Sequence, residues 1–125
     1  MDSAAHDRHS EPAPFDYEEL LGRCVGRRDL LEKVLANFAE LLPPQLVQLE
    51  AAIKLPDLAK VKSMAHRLKG GALTISAHRL GKCAQQLETA AGEANSTTIE
   101  ATFAELREEC DRLTTDVRAR LKKEK

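Results

Sequence analysis

The apolar positions of this chain recur at helical spacing along nearly its whole length. Leu58, Val61, Ala65, Leu68, Ala72 and Ile75 follow one another at alternating steps of three and four, the seam of a helix that faces other helices. Leu31, Leu35, Phe38 and Leu42 form a second stripe, continued by Leu46, Leu49 and Ile53 over about Asp29 to Lys54. Leu80, Cys83, Leu87 and Ala90 form a third. Ile99, Phe103, Leu106, Cys110, Leu113, Val117 and Leu121 form a fourth, which fades into lysines.

The breaks between stripes predict the ends of the helices. Asp16, with Glu19 three residues on, is a capping-box pattern that opens a short helix on Leu20, Leu21 and Cys24, and Gly26 ends it. Pro43-Pro44 interrupts the second stripe and predicts a kink there, or two helices meeting end to end. Pro56-Asp57 starts the next helix, and a turn falls near Ser76. "GEANS" breaks the chain again, and Thr97 with Glu100 gives a second capping-box pattern. Short connections favour antiparallel neighbours. The expected fold is all-α: an antiparallel up-down four-helix bundle over residues 15–122 with a short N-terminal capping helix. Residues 1–14, polar and holding two prolines, read as a disordered tail or linker, and 123–125 as a C-terminal tail.

Composition narrows the core and the partners. Aromatic residues are only 3% of the chain, so the core is aliphatic. The net charge of −1 gives no reason to expect nucleic acid or a membrane surface. No apolar run reaches the roughly 20 residues of a membrane span. Cys24, Cys83 and Cys110 lack metal-site spacing and lie at apolar positions, the pattern of reduced thiols in a cytoplasmic protein. His6 and His9 fall in the polar tail and carry no weight as metal ligands.

His66 is the position that helical packing does not explain. It lies roughly 130° round the helix from the centre of the apolar stripe, and is therefore expected to be exposed. Lys62, Lys69 and Gly70 fall within about 60° of it. If the next helix returns antiparallel from Ser76, Gln85, Gln86 and Glu88 come to the level of His66. From Leu58 to Leu87 the chain has no Asp or Glu, but holds Lys60, Lys62, Arg67, Lys69, Arg79 and Lys82. A neutral imidazole is a nucleophile near pH 7. A carboxylate on its other nitrogen fixes the tautomer, a lysine stabilises phosphoryl oxygens, and a glycine leaves room for them. Nothing in the sequence is equipped to take a phosphoryl group from a nucleotide itself.

"AHRLKGGALTISA", followed by Leu80, Cys83, Leu87 and Glu88, resembles the histidine-containing phosphotransfer (HPt) domain family, whose pattern is His-x-Leu-Lys-Gly. The likeness extends over about residues 15–121. It implies that His66 accepts and donates the phosphoryl group, that Lys69 supports it, that Gly70 allows close approach and that Glu88 hydrogen-bonds the imidazole; Gln85, level with His66 on the returning helix, is the candidate supporting residue and the alternative acceptor. Partners would be receiver domains of response regulators or hybrid kinases, which supply the aspartate, the magnesium and the catalysis. The domain would be a monomeric carrier rather than an enzyme, needing no cofactor of its own. Lys62, Ser63, Arg67 and Gly71 are the candidate partner contacts, together with exposed apolar residues of the first two helices. Ser76 stands where the family usually has Gly. The alternatives are the phosphoacceptor domain of a chemotaxis-type kinase, of the same fold, and a helical interaction module in which His66 is incidental. A histidine-kinase dimerisation helix is disfavoured, because Arg67 stands where that family carries an acid.

Overall fold

The computed structural model describes residues 13–124, which form five helices: α1 (Tyr17–Arg23), α2 (Arg28–Lys54), α3 (Leu58–Thr74), α4 (His78–Gly92) and α5 (Ser96–Glu124). The expected tails at 1–14 and 123–125, with His6 and His9, fall largely outside the described residues. Each long helix packs on two others, in the order α2–α3–α4–α5 and back to α2. The ring encloses the predicted stripes: Leu31, Leu35, Leu42 and Leu49 meet Val61, Ala65, Leu68 and Ala72, with Leu80, Leu87, Leu106, Leu113 and Val117 closing the core. No described helix is long and apolar enough to cross a membrane.

Several details differ from the sequence expectation. α2 runs through Pro43 and Pro44 as one helix rather than two. Both prolines are exposed, so the carbonyls that lose an N–H partner, those of Ala39 and Glu40, lie on or near the wet face, and buried Leu35, Leu42 and Leu49 hold the helix on either side. α5 starts at Ser96, with Asn95 as its cap: the Asn95 Oδ1 accepts from Thr98 N at 3.1 Å. The Thr97/Glu100 pattern thus lies two residues past the cap, because Asn95 already takes the free Thr98 amide. In α4 the buried centre of the stripe is Leu80, Ala84 and Leu87, and Cys83 is only half-buried. The Asp16 cap forms as expected, accepting from Glu19 N at 3.0 Å, and Asp57 caps α3 by accepting from Lys60 N at 3.1 Å.

Three helices end in the same way, with a residue of positive φ that is not glycine: Val25 (56°), Ser76 (62°) and Ala94 (55°). After α3, Ala77 N donates to Ala72 O and Ser76 N to Leu73 O, a Schellman ending. The first helix therefore reverses at Val25, one residue before the expected Gly26. The Ser76 hydroxyl is fully buried. Its proximity helps lower the pKa of Glu19, but no partner stands in hydrogen-bond geometry to it. Ser76→Gly is expected to relieve both the backbone strain and the buried hydroxyl. After allowing for the greater freedom of an unfolded glycine, it should raise stability by about 1 kcal/mol, read from the urea midpoint.

α1 is pinned across the α3–α4 turn. Asp16 N donates to Ser76 O at 2.9 Å, and His78 Nε2 meets Glu19 Oε1 at 2.7 Å. Arg120 of α5 lies 5.1 Å from the Phe15 ring and 5.2 Å from the Tyr17 ring, and pairs with Asp116 at 3.0 Å.

All three cysteines are free thiols. Burial, with Asp111, Cys83 and Glu109 adding negative charge, pushes the Cys110 thiol up from 9.0 to about 12. Above pH 9 the unfolded thiol ionises while the folded one keeps its proton, so stability falls as pH rises. The expected slope from this group is about 1.4 kcal/mol per pH unit. Denaturation of the parent and of Cys110→Ala from pH 8.5 to 10.5 measures it, the variant losing that part of the slope.

Candidate functional site

α3 places His66 on its outer side because the four residues that face the core, Val61, Ala65, Leu68 and Ala72, take the opposite stripe. The imidazole is 66% exposed. The α3–α4 turn at Ser76 brings α4 back alongside, and the register sets Glu88 level with His66: Nδ1 lies 3.0 Å from Glu88 Oε2. Lys69, one turn further along α3, reaches the same part of α4. Its Nζ donates to Gln85 Oε1 at 3.1 Å and lies 3.3 Å from Glu88 Oε1. That carboxylate oxygen is buried and has no partner in hydrogen-bond geometry, so Lys69 holds it as an ion pair.

Burial works against ionisation of Glu88, but the Lys69 ammonium and then the His66 ring outweigh it and hold its pKa below the usual carboxylate value. The ion pair's contribution to stability is therefore fully present above the ordinary carboxylate range, and is lost as pH falls through the lowered value. At neutral pH Glu88 is an ionised acceptor. A ring nitrogen 3.0 Å from it must carry a hydrogen to bond it, which assigns the proton of neutral His66 to Nδ1. Nε2 is then the nitrogen with a free lone pair.

Gly70, about 40° round the helix from His66, has open space where a side chain would project: a Cβ there would meet nothing within 4 Å. Gly71 is different. A Cβ on it would come 2.9 Å from Phe38 Cε1, so the space its missing side chain leaves is filled by α2 of the same chain. This accounts for Gly71 by helix packing, where a partner contact had been expected. Lys62, Ser63 and Arg67 are exposed on α3. Gln86, expected level with His66, instead lines a groove on the α5 side with Cys83, Glu105 and Glu108.

Sequence reasoning missed Leu73, which is 41% exposed. Seven residues beyond His66, it lies about 20° from the same helix face. It crosses to α4 over Gly81, where a Cβ would lie 2.9 Å from Leu73 Cδ2. The two-turn spacing was visible in the sequence; that the side chain stays half out of the core was not. Among the described residues no group of three or more His, Cys, Asp or Glu side chains forms a possible metal site.

An exposed histidine backed by a carboxylate and flanked by lysine and glycine, on a four-helix bundle, has a counterpart in known proteins. The profile of the Hpt domain matches residues 33–116. The chain belongs to the Hpt-domain family. The match takes in most of α2, all of α3 and α4, and α5 to Asp116. The bundle of this Hpt domain is also similar to the crystal structure of the histidine-containing phosphotransfer protein ZmHP2 from maize, with a TM-score of 0.75 at 21% identity, over 87% of this chain and 80% of that one. No curated protein gives a significant sequence match. The likeness to the maize protein is one of fold, and family membership carries a role in histidine phosphotransfer, which Hpt domains perform as carriers alongside receiver domains of two-component relays.

Proposed function

We propose that this Hpt domain is a relay intermediate that takes a phosphoryl group from a receiver aspartate onto Nε2 of His66 and passes it to another receiver. The observation that carries the reading is the geometry of one ring. Its Nδ1 is engaged by an ionised Glu88 at 3.0 Å, while the ring itself stands 66% exposed beside the open side of Gly70.

The step follows from those atoms. The Nε2 lone pair attacks phosphorus, the P–N bond forms, and the P–O bond to the receiver aspartate breaks. The aspartate leaves as a carboxylate with the electron pair. Nδ1 keeps its proton, so the ring becomes an imidazolium, and Glu88 is placed to stabilise that charge. The Lys69 ammonium offsets charge on the phosphoryl oxygens. The return step runs the same bonds backwards. The domain acts as a monomeric carrier, with magnesium and the aspartate supplied by the receiver.

Docking would use the outer face of α3. Lys62 and Arg67 give it positive charge, and no acid occurs from Leu58 to Leu87, a complement to the acidic pocket of a receiver. Ser63, Gly70 and the apolar Leu73 complete the face.

Incubation with a radiolabelled phospho-receiver tests the reading. Label should appear on the domain in an acid-labile, alkali-stable bond and chase onto a second, unlabelled receiver. Failure to take label from any receiver of the source organism would overturn it. Glu88→Ala should leave the bundle folded, because the side chain sits at the surface edge of the α3–α4 seam. Losing a charge-assisted hydrogen bond of about 1.5–3 kcal/mol from the imidazolium should slow transfer about ten- to a hundredfold.

A further inference from the structure

We propose that Gln85 is a positioning residue for phosphoryl transfer, acting through Lys69. The inference rests on His66 being the phosphoacceptor and assigns a role that its motif does not.

Lys69 does not stand free beside the histidine. Its side chain is only 22% exposed and is drawn towards α4. Two groups hold the ammonium, and they hold it differently. Glu88 Oε1 attracts it by charge at 3.3 Å, without hydrogen-bond geometry. Gln85 Oε1 accepts a directed hydrogen bond from it at 3.1 Å. Among the contacts of Nζ, therefore, Gln85 supplies the directional one. An ammonium has three N–H donors, so those not used by Gln85 remain for an incoming phosphoryl oxygen.

The residue type matters as much as the contact. A carboxamide fixes the flexible lysine without cancelling its charge. A carboxylate at 85 would fix it equally well, but would surround it with two negative groups and oppose an approaching phosphoryl group. A side chain with no acceptor would leave the four-carbon stem to Glu88 alone. The ordering of Lys69 would then have to be supplied at the moment of transfer.

Gln85→Met and Gln85→Glu separate these effects. Gln85 is exposed, so both chains should fold, as circular dichroism would verify. Nitrogen-15 relaxation of the Lys69 ammonium should show restraint in the parent and in Gln85→Glu, and loss of restraint in Gln85→Met. Transfer from a phospho-receiver should slow about three- to tenfold in both variants. In a Lys69→Ala background, Gln85→Met should not slow transfer further, because the amide acts through the lysine, whereas Gln85→Glu keeps its direct repulsion of the phosphoryl group. Equal slowing by Gln85→Met in both backgrounds, or an ammonium equally restrained in Gln85→Met, would overturn the role of Gln85. A parent chain that takes no label overturns the phosphoacceptor reading itself, and removes the transfer role of Gln85 with it. A labelled parent in which the losses from Gln85→Met and Lys69→Ala are additive overturns the positioning role alone.

Discussion

A His66→Gln chain is expected to fold as the parent does and to accept no phosphoryl label from any receiver. The side chain is exposed and contributes nothing to the core, so stability should change by no more than about 0.5 kcal/mol. A glutamine amide N–H can still donate to Glu88 Oε2. What it lacks is a basic ring nitrogen, so the P–N bond cannot form. The result is sharpened by His78, a second exposed imidazole hydrogen-bonded to a carboxylate, Glu19. At His78 it is Nε2 that meets the carboxylate, 2.7 Å away; Gly81 and Lys82 follow one turn along, but Gly81 is packed under Leu73 and Lys82 lines the groove on the α5 side. Label retained by His66→Gln and lost on further changing His78 would move the acceptor across the α3–α4 turn and end the present assignment. Loss of all label in the single variant, with an unchanged urea midpoint, is the expected outcome.

Gly70→Gln should uncouple stability from function. Nothing lies within 4 Å of the position a Cβ would take, so the fold has no objection to a side chain. Replacing an exposed mid-helix glycine should raise stability by about 0.5–1 kcal/mol. The same side chain would project about 40° from His66 on the same helix face, into the space a receiver must enter. A displacement of the reacting groups by about 1 Å is enough for a hundredfold loss of rate. A more stable chain that transfers about a hundredfold more slowly is therefore expected, from thermal melts and transfer assays on one preparation. Transfer at the parent rate would mean that Gly70 is tolerated rather than required. Gly71 offers the contrast: there the obstacle to a side chain is Phe38 of the chain itself, so its substitution should disturb the α2–α3 packing first.

The helix face around His66 was legible from local periodicity alone. At 3.6 residues per turn, the placement of Val61, Ala65, Leu68 and Ala72 in the core forces His66 outward, with Lys69 and Gly70 beside it. Glu88 was legible for a similar reason. A short reversal at Ser76 makes α3 and α4 a hairpin, and in a hairpin residues equally distant from the turn come level. That symmetry narrowed the choice to Gln85, Gln86 and Glu88 without deciding among them, because their rotation about α4 depends on which face of α4 the core takes. Ala84 and Leu87 are buried, which turns Gln85 and Glu88 towards α3 and Gln86 towards α5.

By itself, then, the sequence determined that this chain forms an all-helical bundle with His66 exposed on the outer face of a helix that holds no acid, because apolar spacing within a helix is a local property of neighbouring residues. Tertiary structure decided what each polar group on that face holds. It gave Lys69 to Gln85 as well as Glu88, filled the gap at Gly71 with Phe38, carried α2 through two prolines, and fastened α1 to the turn through Glu19 and His78. Those outcomes depend on the rotation and register of helices distant in sequence. The whole packed core sets them, and no short stretch of residues contains them.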